Sequence, residues 1–570
     1  MREAIVRAFG AELADADPLV RPTQDVRFGD FQANVAMGLG KRLGKKPRDV
    51  AEALVAALDV AGLAGRPEIA GPGFVNVRLD DGWLARLAGE AAADRARLGI
   101  PGVAHPHTVV VDYSGPNVAK DMHVGHLRST VIGDALARTL HFLGHRVVRQ
   151  NHVGDWGTQF GLLIEHLIEQ EHAHAGSPLG PAIDLTASYR EASQRGATDP
   201  AFAERARERV VKLQTGDPET RGTWQRLVAL SAKQFATVYE RLGVTLTLDD
   251  IRGESAYNDA LPAIVADLRT TGLARESEGA VCVFLDGFKA KEGEPLPLIV
   301  QKSDGGYLYA TTDLAALRYR ADQLGARRMV YVTDARQRQH FQMVFAAARA
   351  AGWVSDDVRL DHVVFGSVLG EDGTPFKTRS GDTVPLAELL DRAEELALGL
   401  VLAKNPDLDP VERARVAHTV GIGAIKYADL ASDRVKDYVF SWPRMLAMDG
   451  NTAPYLQYAY ARIRSIFRKA RLDTAPVAPV RLDEPAERAL VLALLQLDGV
   501  VEAVARTLEP HRLCGYLYEV ATAFSTFYEA CPVLQAPAGV RESRLVLCGL
   551  TADTMKIGLG LLGIETLERM

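Results

Sequence analysis

The alternation of apolar and polar positions is clearest in the middle of the chain, from residue 108 onward. Residues 108–113 form a β-branched apolar run, and a turn rich in glycine and proline follows at residues 114–117. Apolar residues then recur at the helical period, and a second apolar run stands near residues 146–148. The helical positions are Leu127, Val131, Ala135 and Leu136. Strand, turn, helix and strand in sequence predict a βαβ unit that opens a doubly wound parallel sheet. Further strands are predicted at residues 329–332 and 362–366.

The segments around this unit predict further domains. Residues 1–105 contain a helix pair broken at Pro47 and a strand near residues 71–79, which predicts a small α+β domain. A helical and turn-rich stretch at about residues 171–302 is predicted to be an insertion into the sheet, and from about residue 446 the periodicity is helical throughout. The predicted fold is therefore multidomain α/β, with a Rossmann-type doubly wound core at 106–445 that carries the helical insertion, the α+β domain at 1–105 and an all-α domain at 446–570.

Length and composition are those of a globular protein with several domains. The 570 residues exceed what one hydrophobic core organises, and 47% hydrophobic and 24% charged residues are ordinary for a globular chain. No apolar run approaches the ~18 residues that span a bilayer, and the N-terminus lacks the apolar stretch of a signal peptide, so a cytoplasmic location is expected. The cysteines form no C-x-x-C pair, so structural zinc is not expected. They are Cys282, Cys514, Cys531 and Cys548.

Charge is distributed unevenly along the chain. The net charge of −7 argues against a surface that binds nucleic acid over its whole extent. Residues 462–471 nevertheless carry a run of cations without an acid, namely Arg462, Arg464, Arg468, Lys469 and Arg471. Such a stripe can contact phosphates, or it can be the solvated face of a helix, and the pattern alone leaves both interpretations open.

The tetrapeptide His123-Val124-Gly125-His126 stands where the helix after the first strand begins. A helix N-terminus offers free N–H groups and the positive end of the helix dipole, and two imidazoles beside it can donate hydrogen bonds to developing negative charge. Gly125 leaves the flank of the helix open to a nucleotide. The pattern also arises by chance in roughly one such chain in thirty. A zinc pair is a further alternative, although no third ligand follows at a recognisable spacing.

The wider segment SGPNVAKDMHVGHLRST resembles the signature of class I aminoacyl-tRNA synthetases in the form found in the arginyl enzymes. The similarity extends over nearly the whole chain. GDFQAN and AGPGFVNV resemble the N-terminal domain that contacts the tRNA elbow, DGNTAPYLQYAYARIRSI the start of the anticodon-binding domain, and LLGIETLERM the C-terminal end. The resemblance implies a ligase that activates L-arginine with ATP and transfers it from arginyl-adenylate to the terminal adenosine of tRNA(Arg).

The resemblance also assigns residues to the ATP site, where Mg2+ enters with the nucleotide. They are Lys120, His123, Gly125, His126, Val368, Leu369 and Lys377. The family's second signature falls in residues 366–384, where Lys377, Thr378 and Arg379 follow a predicted turn at Asp372-Gly373. The lysine of the usual class I motif falls on Thr378, and the resemblance gives its role to Lys120, with Lys377 and Arg379 in support. Both residues can instead be solvated loop residues.

Recognition of arginine requires carboxylate or amide oxygens, because a guanidinium is always charged and offers five N–H donors. Asp112 ends the first strand, at the sheet edge where ligands bind, and Asp313 follows Tyr309 by four residues and so shares its helix face. The resemblance assigns Asp112, Asp313, Tyr309, Asn117 and Gln337 to the arginine site. Without the resemblance, a helix N-cap after two threonines is the favoured interpretation of Asp313.

The resemblance further implies that activation of arginine needs bound tRNA and that the enzyme is a monomer. The residues expected to contact tRNA are Asn34, Arg462, Arg464 and Arg468. No editing domain is expected, because a pocket that pairs the whole guanidinium leaves buried acceptors unpaired around a shorter analogue. The insertion is interpreted as a support for the acceptor stem. Another class I synthetase and a non-catalytic tRNA-binding paralogue are the alternatives, and the paralogue is expected to lose the histidines or lysine of the HVGH segment.

Overall fold

The computed structural model describes residues 1–23, 25–173, 184–290, 293–376 and 384–570. The chain forms two compact units. The first comprises residues 1–100, 465–497 and 519–554, and the second comprises residues 101–464, 498–518 and 555–570. None of the described helices is both long and apolar enough to cross a membrane.

The first unit contains a small antiparallel sheet and helices. Its N-terminal elements are α1 (Arg2–Phe9), β1 (Val20–Pro22), β2 (Phe31–Ala33), α2 (Val35–Leu43), α3 (Pro47–Ala57), β3 (Glu68–Ala70), β4 (Phe74–Val77) and α4 (Asp81–Ala93). The strands lie in the order β1-β2-β4-β3. Ile5, Leu39, Leu54 and Val75 belong to one buried apolar cluster. Pro47 is the first residue of α3, where its missing N–H is not needed, so the predicted helix break is confirmed.

The second unit begins with the predicted βαβ unit. Its elements are β5 (Thr108–Asp112), α5 (Val124–Phe142) and β6 (Arg146–Gln150). β5 and β6 are parallel neighbours, with Asp112 opposite Gln150 at their carboxyl ends. The central residues of β5 are fully buried, as expected for a parallel strand covered on both faces.

The prediction of a helical insertion is incomplete, because three antiparallel strands follow its helices. The helices are α6 (Thr158–Ala173), α7 (Leu185–Thr198), α8 (Pro200–Thr215), α9 (Pro218–Leu242) and α10 (Leu261–Thr270). The strands, in the order β7-β8-β9, are β7 (Ala274–Ser277), β8 (Ala280–Lys289) and β9 (Pro295–Gln301). Val281, Val283, Leu298 and Val300 of these strands are buried in one apolar cluster with α10. The apolar run of β8 lacks strict alternation, so periodicity alone does not distinguish it from a segment of buried helix.

The parallel sheet is completed after the insertion by the two strands predicted there. The elements are α11 (Tyr309–Asp322), β10 (Arg328–Asp334), α12 (Arg338–Ala350), β11 (Arg359–Phe365) and β12 (Val368–Leu369). The strand order is β11-β10-β5-β6, and every neighbouring pair is parallel. The loops after the carboxyl ends of β5, β6 and β10 therefore meet at one edge, where open α/β sheets bind ligands.

The remainder of the chain is almost entirely helical, as predicted. Its elements are α13 (Leu386–Lys404), α14 (Pro410–Leu430), β13 (Tyr438–Val439), α15 (Trp442–Met445), α16 (Ala453–Ala470), α17 (Pro485–Leu494), α18 (Leu497–Thr507), α19 (His511–Ala530) and α20 (Val540–Leu561). From residue 446 onward every regular element is a helix. The short β13 pairs in parallel with β12, beside the predicted ATP-binding positions.

Candidate active site

The two histidines of the HVGH segment cap the N-terminus of α5. Nδ1 of His123 accepts a hydrogen bond from the backbone N–H of Gly125 at 3.0 Å, and Nδ1 of His126 accepts one from the N–H of His123 at 3.1 Å. The N–H of His126 donates to the carbonyl of His123, and that of Val124 donates to the carbonyl of Val384. The prediction that free N–H groups of this helix bind phosphate is therefore wrong for its first three residues, because the chain itself occupies them.

Both imidazoles are electrically neutral in this arrangement. Burial lowers the pKa of His126 to about 3, and burial together with the charges of Lys120 and Arg336 lowers the pKa of His123. Because each Nδ1 is an acceptor, each neutral ring carries its proton on Nε2. Among the described residues, none hydrogen-bonds to either Nε2. The segment thus presents two neutral N–H donors, with ring centroids 4.0 Å apart, to whatever binds there.

Gly125 is required by the capping geometry as well as by access. A Cβ at this position would lie 2.8 Å from Cε1 and 2.9 Å from Nδ1 of His123. A side chain at position 125 would push the first imidazole out of its capping position. The sequence predicts a glycine here because a nucleotide needs the space. The structure adds a second reason, which is that a side chain would displace the His123 ring.

The predicted ATP-binding positions Val368 and Leu369 form β12, on the segment that leads towards residues 377–383. Asp372 and Gly373 make the predicted turn, with Gly373 at φ +75. Phe376 donates its N–H to the carbonyl of Val368 at 3.0 Å. The predicted cations Lys377 and Arg379 lie outside the described residues.

The helix that carries HVGH is tied to this segment through a buried arginine. Arg128 donates from Nη1 to the carbonyls of Gly366 at 2.8 Å and Lys436 at 3.1 Å, and its Nε lies 3.2 Å from a carboxylate oxygen of Asp429. Both charged side chains are almost completely buried. The relative position of the imidazoles and β12 is thereby held by a fully desolvated ion pair and two charge-assisted hydrogen bonds.

Tyr309 and Asp313 lie on one face of α11, as their spacing predicted. His340 Nε2 is 2.6 Å from Asp313 Oδ2, His152 Nε2 is 3.8 Å from Asp313 Oδ1, and the rings of Tyr309 and His340 are 4.7 Å apart. The N-cap of α11 is Leu308, so the interpretation of Asp313 as a helix cap is wrong. The side chain instead faces a group of polar residues at the edge of the sheet.

A residue that the sequence did not reveal, Glu254, adds a second carboxyl group to this region. Burial raises its pKa to about 8, and the charges of Asp313 and Asp155 act in the same direction. Asp155 is itself held by the N–H and hydroxyl of Ser255 at 2.8 and 2.6 Å. The mutual effect of these carboxyl groups makes the region one that favours a bound cation.

Asp112 is already engaged by a guanidinium of the chain itself. Its Oδ2 accepts a hydrogen bond from Arg320 Nη2 at 2.7 Å, and Arg320 Nε donates to Gln150 Oε1 at 2.6 Å. Only 1% of the Arg320 side chain is exposed. One of the two carboxylate oxygens of Asp112 is therefore already engaged within the protein, which the sequence could not indicate because its partner lies 208 residues away.

The two remaining residues assigned to arginine follow adjacent strands of the sheet. Asn117 follows β5 and is exposed, with its side-chain oxygen against Gly154, and the backbones of the two residues form a parallel bridge. Gln337 follows β10 at the N-cap of α12 and is also exposed. Both side chains thus lie at the carboxyl edge of the sheet.

Comparison with known proteins agrees with this geometry. Residues 92–442 match the model of the family described as tRNA synthetases class I (R), catalytic domain. Residues 1–79 match the arginyl tRNA synthetase N terminal domain, and residues 456–570 match the DALR anticodon binding domain. The arginine–tRNA ligase of Escherichia coli K12 is 54% identical over 574 residues, covering 100% of the chain and 98% of that protein. The chain belongs to the arginyl-tRNA synthetase family.

Other arginyl-tRNA synthetases show the same full-length similarity. The arginine–tRNA ligase of Edwardsiella ictaluri is 54% identical over 559 residues, covering 98% of the chain and 96% of the relative. The arginyl-tRNA synthetase structure from Plasmodium falciparum has a TM-score of 0.86 at 30% identity, covering 100% of this chain and 97% of that one. That from Thermus thermophilus has a TM-score of 0.83 at 27% identity, covering 100% and 99%. The predicted family, fold class and enzyme class are confirmed.

The residues of this arginyl-tRNA synthetase that were predicted to contact tRNA have mixed surroundings. Arg464 Nε donates to Glu568 Oε2 at 2.7 Å, so part of the basic stripe of α16 is paired within the protein. Arg468 is exposed and Arg462 is partly buried. Asn34 is the N-cap of α2, and its buried Oδ1 has no hydrogen-bond partner within the described chain. The arginines of this basic stripe therefore differ: some are exposed to solvent, and others are partly buried or paired within the protein.

No cluster of three or more His, Cys, Asp or Glu side chains arranged to hold a metal ion exists among the residues that the structure describes. The four cysteines are buried and unbridged. Catalysis by class I synthetases is ATP-dependent, so the nucleotide enters as a substrate.

Proposed function

We propose that this chain is an arginine–tRNA ligase that acts in the cytoplasm on L-arginine, Mg·ATP and tRNA(Arg). The observation that carries the proposal is the placement of two kinds of group at one edge of the parallel sheet. Neutral imidazole donors cap α5 after β5, and a carboxyl cluster around Asp313 and Glu254 lies beside the segments after β5, β6 and β10. The first suits phosphate and the second suits guanidinium.

In the first step an oxygen of the arginine carboxylate attacks the α-phosphorus of ATP in line. The new C–O–P linkage forms as the bond between the α-phosphorus and its bridging oxygen breaks, and pyrophosphate leaves with that oxygen. No protein nucleophile is involved, so catalysis consists of positioning and charge stabilisation. The Nε2–H groups of His123 and His126 donate to phosphate oxygens. Lys120 neutralises triphosphate charge, supported by Lys377 and Arg379, while Gly125, Val368 and Leu369 lie along the adenosine.

Arginine is selected by groups that match its guanidinium, which is planar and always charged. Asp313 and Glu254 receive the guanidinium N–H groups, and Tyr309 lies against the guanidinium. Asn117 and Gln337 take the amino and carboxylate end. Asp112 acts mainly through Arg320, whose buried charge it balances. Lysine would leave these buried acceptors partly unpaired, so no editing step is needed.

In the second step the 2′-hydroxyl of the terminal adenosine of tRNA takes the arginyl group and releases AMP. Residues 1–105 contact the tRNA elbow through Asn34, and residues 446–570 bind the anticodon region with Arg462, Arg464 and Arg468. Residues 106–445 carry the chemistry, with the insertion at 171–302 supporting the acceptor stem. The enzyme works as a monomer and needs bound tRNA for the first step.

The test is ATP–pyrophosphate exchange by the purified protein with each of the twenty amino acids, with and without total tRNA. Exchange with arginine alone, and only when tRNA is present, is the expected result. Exchange with a different amino acid would assign the chain another specificity within class I. Absence of exchange in a protein that still binds tRNA would leave the non-catalytic paralogue as the explanation.

A further inference from the structure

The segment that carries Lys120 has an unusual backbone. Ser114 and Ala119 both have positive φ angles, +75 and +63, which residues with a side chain rarely adopt. Such conformations persist only where surrounding groups hold them. Lys120 follows directly after the second of these residues, so whatever holds Ala119 also directs the lysine.

The groups that hold this backbone come from the insertion. The N–H of Ala119 donates to Ser231 Oγ at 2.9 Å, and Ser231, on α9, is completely buried. Ser114 Oγ lies 2.7 Å from the hydroxyl of Tyr239, also on α9 and hydrogen-bonded to Asn151. α9 therefore supports the segment at Ser114 and Ala119, its two left-handed residues other than glycine.

A second helix of the insertion fixes the ammonium group of the lysine. Lys120 Nζ lies 4.7 Å from the centroid of the Tyr189 ring, on α7. α7 is anchored in turn, because Arg195 pairs with Glu169 of α6 at 2.5 Å and stacks 4.3 Å from the Phe202 ring of α8. A lysine side chain is long and flexible, so an aromatic ring at this distance restricts where its charge stands.

We propose that Tyr189 is a positioning residue for the activation step, which holds the Lys120 ammonium where the triphosphate of ATP is charged, with Ser231 fixing the backbone beneath it. The inference rests on the role proposed for Lys120 in charge neutralisation. It gives the insertion a part in the chemistry: α7 and α9 complete the phosphate site from outside the parallel sheet. The interaction required of residue 189 is that of an aromatic face, and its hydroxyl is not needed.

The test compares Tyr189→Leu and Tyr189→Phe in arginine-dependent pyrophosphate exchange with tRNA present, alone and combined with Lys120→Met. We expect Tyr189→Leu to lower kcat by roughly 3- to 30-fold with the KM for arginine unchanged, and Tyr189→Phe to retain wild-type kcat. In the Lys120→Met background, Tyr189→Leu should cause no further loss. Glu191→Gln, which alters an exposed carboxylate of the same helix, is the matched control and should leave kcat unchanged.

Each other outcome overturns the inference in a recognisable way. A wild-type kcat for Tyr189→Leu beside a strongly impaired Lys120→Met removes the role of the tyrosine and leaves that of the lysine. An equal loss from Tyr189→Leu with and without Lys120 shows that the ring acts independently of the ammonium. An unimpaired Lys120→Met contradicts the proposed role of the lysine itself, and with it this inference.

Discussion

The backbone N–H of His123 donates to Nδ1 of His126 at 3.1 Å, and this hydrogen bond determines what the second histidine can do. With Nδ1 committed as an acceptor and the ring buried, the proton of the neutral imidazole resides on Nε2. The two nitrogens therefore have separate tasks: Nδ1 caps the helix, and Nε2 is the proposed donor to the phosphate of ATP.

This separation predicts different results for two substitutions of His126. In His126→Asn the amide oxygen can replace Nδ1 as the cap, but the donor at Nε2 is lost; in His126→Gln the amide N–H₂ can reach the Nε2 position. We expect exchange activity to fall by roughly 10²–10³-fold in the asparagine variant and distinctly less in the glutamine variant, with the asparagine protein retaining the wild-type unfolding temperature. Equal activity of the two variants would contradict the assignment.

The contact between position 125 and the first imidazole predicts the effect of Gly125→Ala. Alanine is the better helix former, so the unfolding temperature should not fall. The new Cβ displaces the His123 ring, and we expect kcat to drop by roughly 10-fold or more, in the range found when one transition-state donor is lost. Gly399→Ala on α13, where a Cβ meets nothing within 4 Å, is the control. If Gly125→Ala keeps full activity, the capping position of His123 is dispensable.

The raised pKa of Glu254 predicts proton release when arginine binds. In the free enzyme this carboxyl has a pKa of about 8 and is therefore protonated at lower pH. The guanidinium of bound arginine favours the ionised form of the carboxyl. Arginine affinity should therefore rise between pH 6 and pH 8, by up to about tenfold per unit, and level off above. Calorimetry in buffers of different ionisation enthalpy measures the proton directly. Glu254→Gln should abolish the release, and Glu240→Gln, an exposed carboxylate on α9, should retain it. Unchanged release in Glu254→Gln would assign the proton to another group.

The pairing of Asp112 with Arg320 predicts that Asp112 contributes mainly to stability. Asp112→Ala leaves a buried guanidinium without its partner, and the free energy of unfolding should fall by about 3–5 kcal/mol. The double variant Asp112→Leu with Arg320→Met should recover most of that loss. Asp313→Asn, by contrast, should raise the KM for arginine at nearly unchanged stability. Denaturant unfolding and pyrophosphate-exchange kinetics distinguish the roles of the two aspartates. An Asp112→Ala protein of wild-type stability with a raised KM for arginine would show instead that Asp112 contacts the substrate directly.

The parts of the fold that local sequence specifies were predictable. The β-branched run of β5 and the regular apolar spacing of α5 place HVGH at the edge of a parallel sheet, and the four-residue spacing of Tyr309 and Asp313 puts both on one helix face. Pro47 marked the start of α3. In each case the signal lies within a window of about a dozen residues, where periodicity and turn chemistry are informative.

The parts that depend on distant partners were not predictable. Arg320, which donates a hydrogen bond to Asp112, lies 208 residues away in the sequence. Glu254 has its raised pKa only because folding brings Asp155 and Asp313 near it. The capping of α5 involves Val384, which the pattern around residue 124 could not indicate, and so free N–H groups were predicted where none of the first three is free. Strands β7–β9 were not predictable because the helices of the same insertion have a stronger periodic pattern than these strands.

Attachment of labelled arginine to tRNA, measured beside the same reaction with periodate-oxidised tRNA, shows whether the chain charges tRNA with arginine. We expect ATP-dependent labelling of intact tRNA with arginine, none with lysine, and none of the oxidised tRNA, whose terminal 2′-hydroxyl is gone. Severe loss of labelling is expected in His126→Asn. Labelling that persists in His126→Asn, or that occurs with lysine as well as arginine, would contradict the assignment of the imidazole donors and the carboxyl pocket.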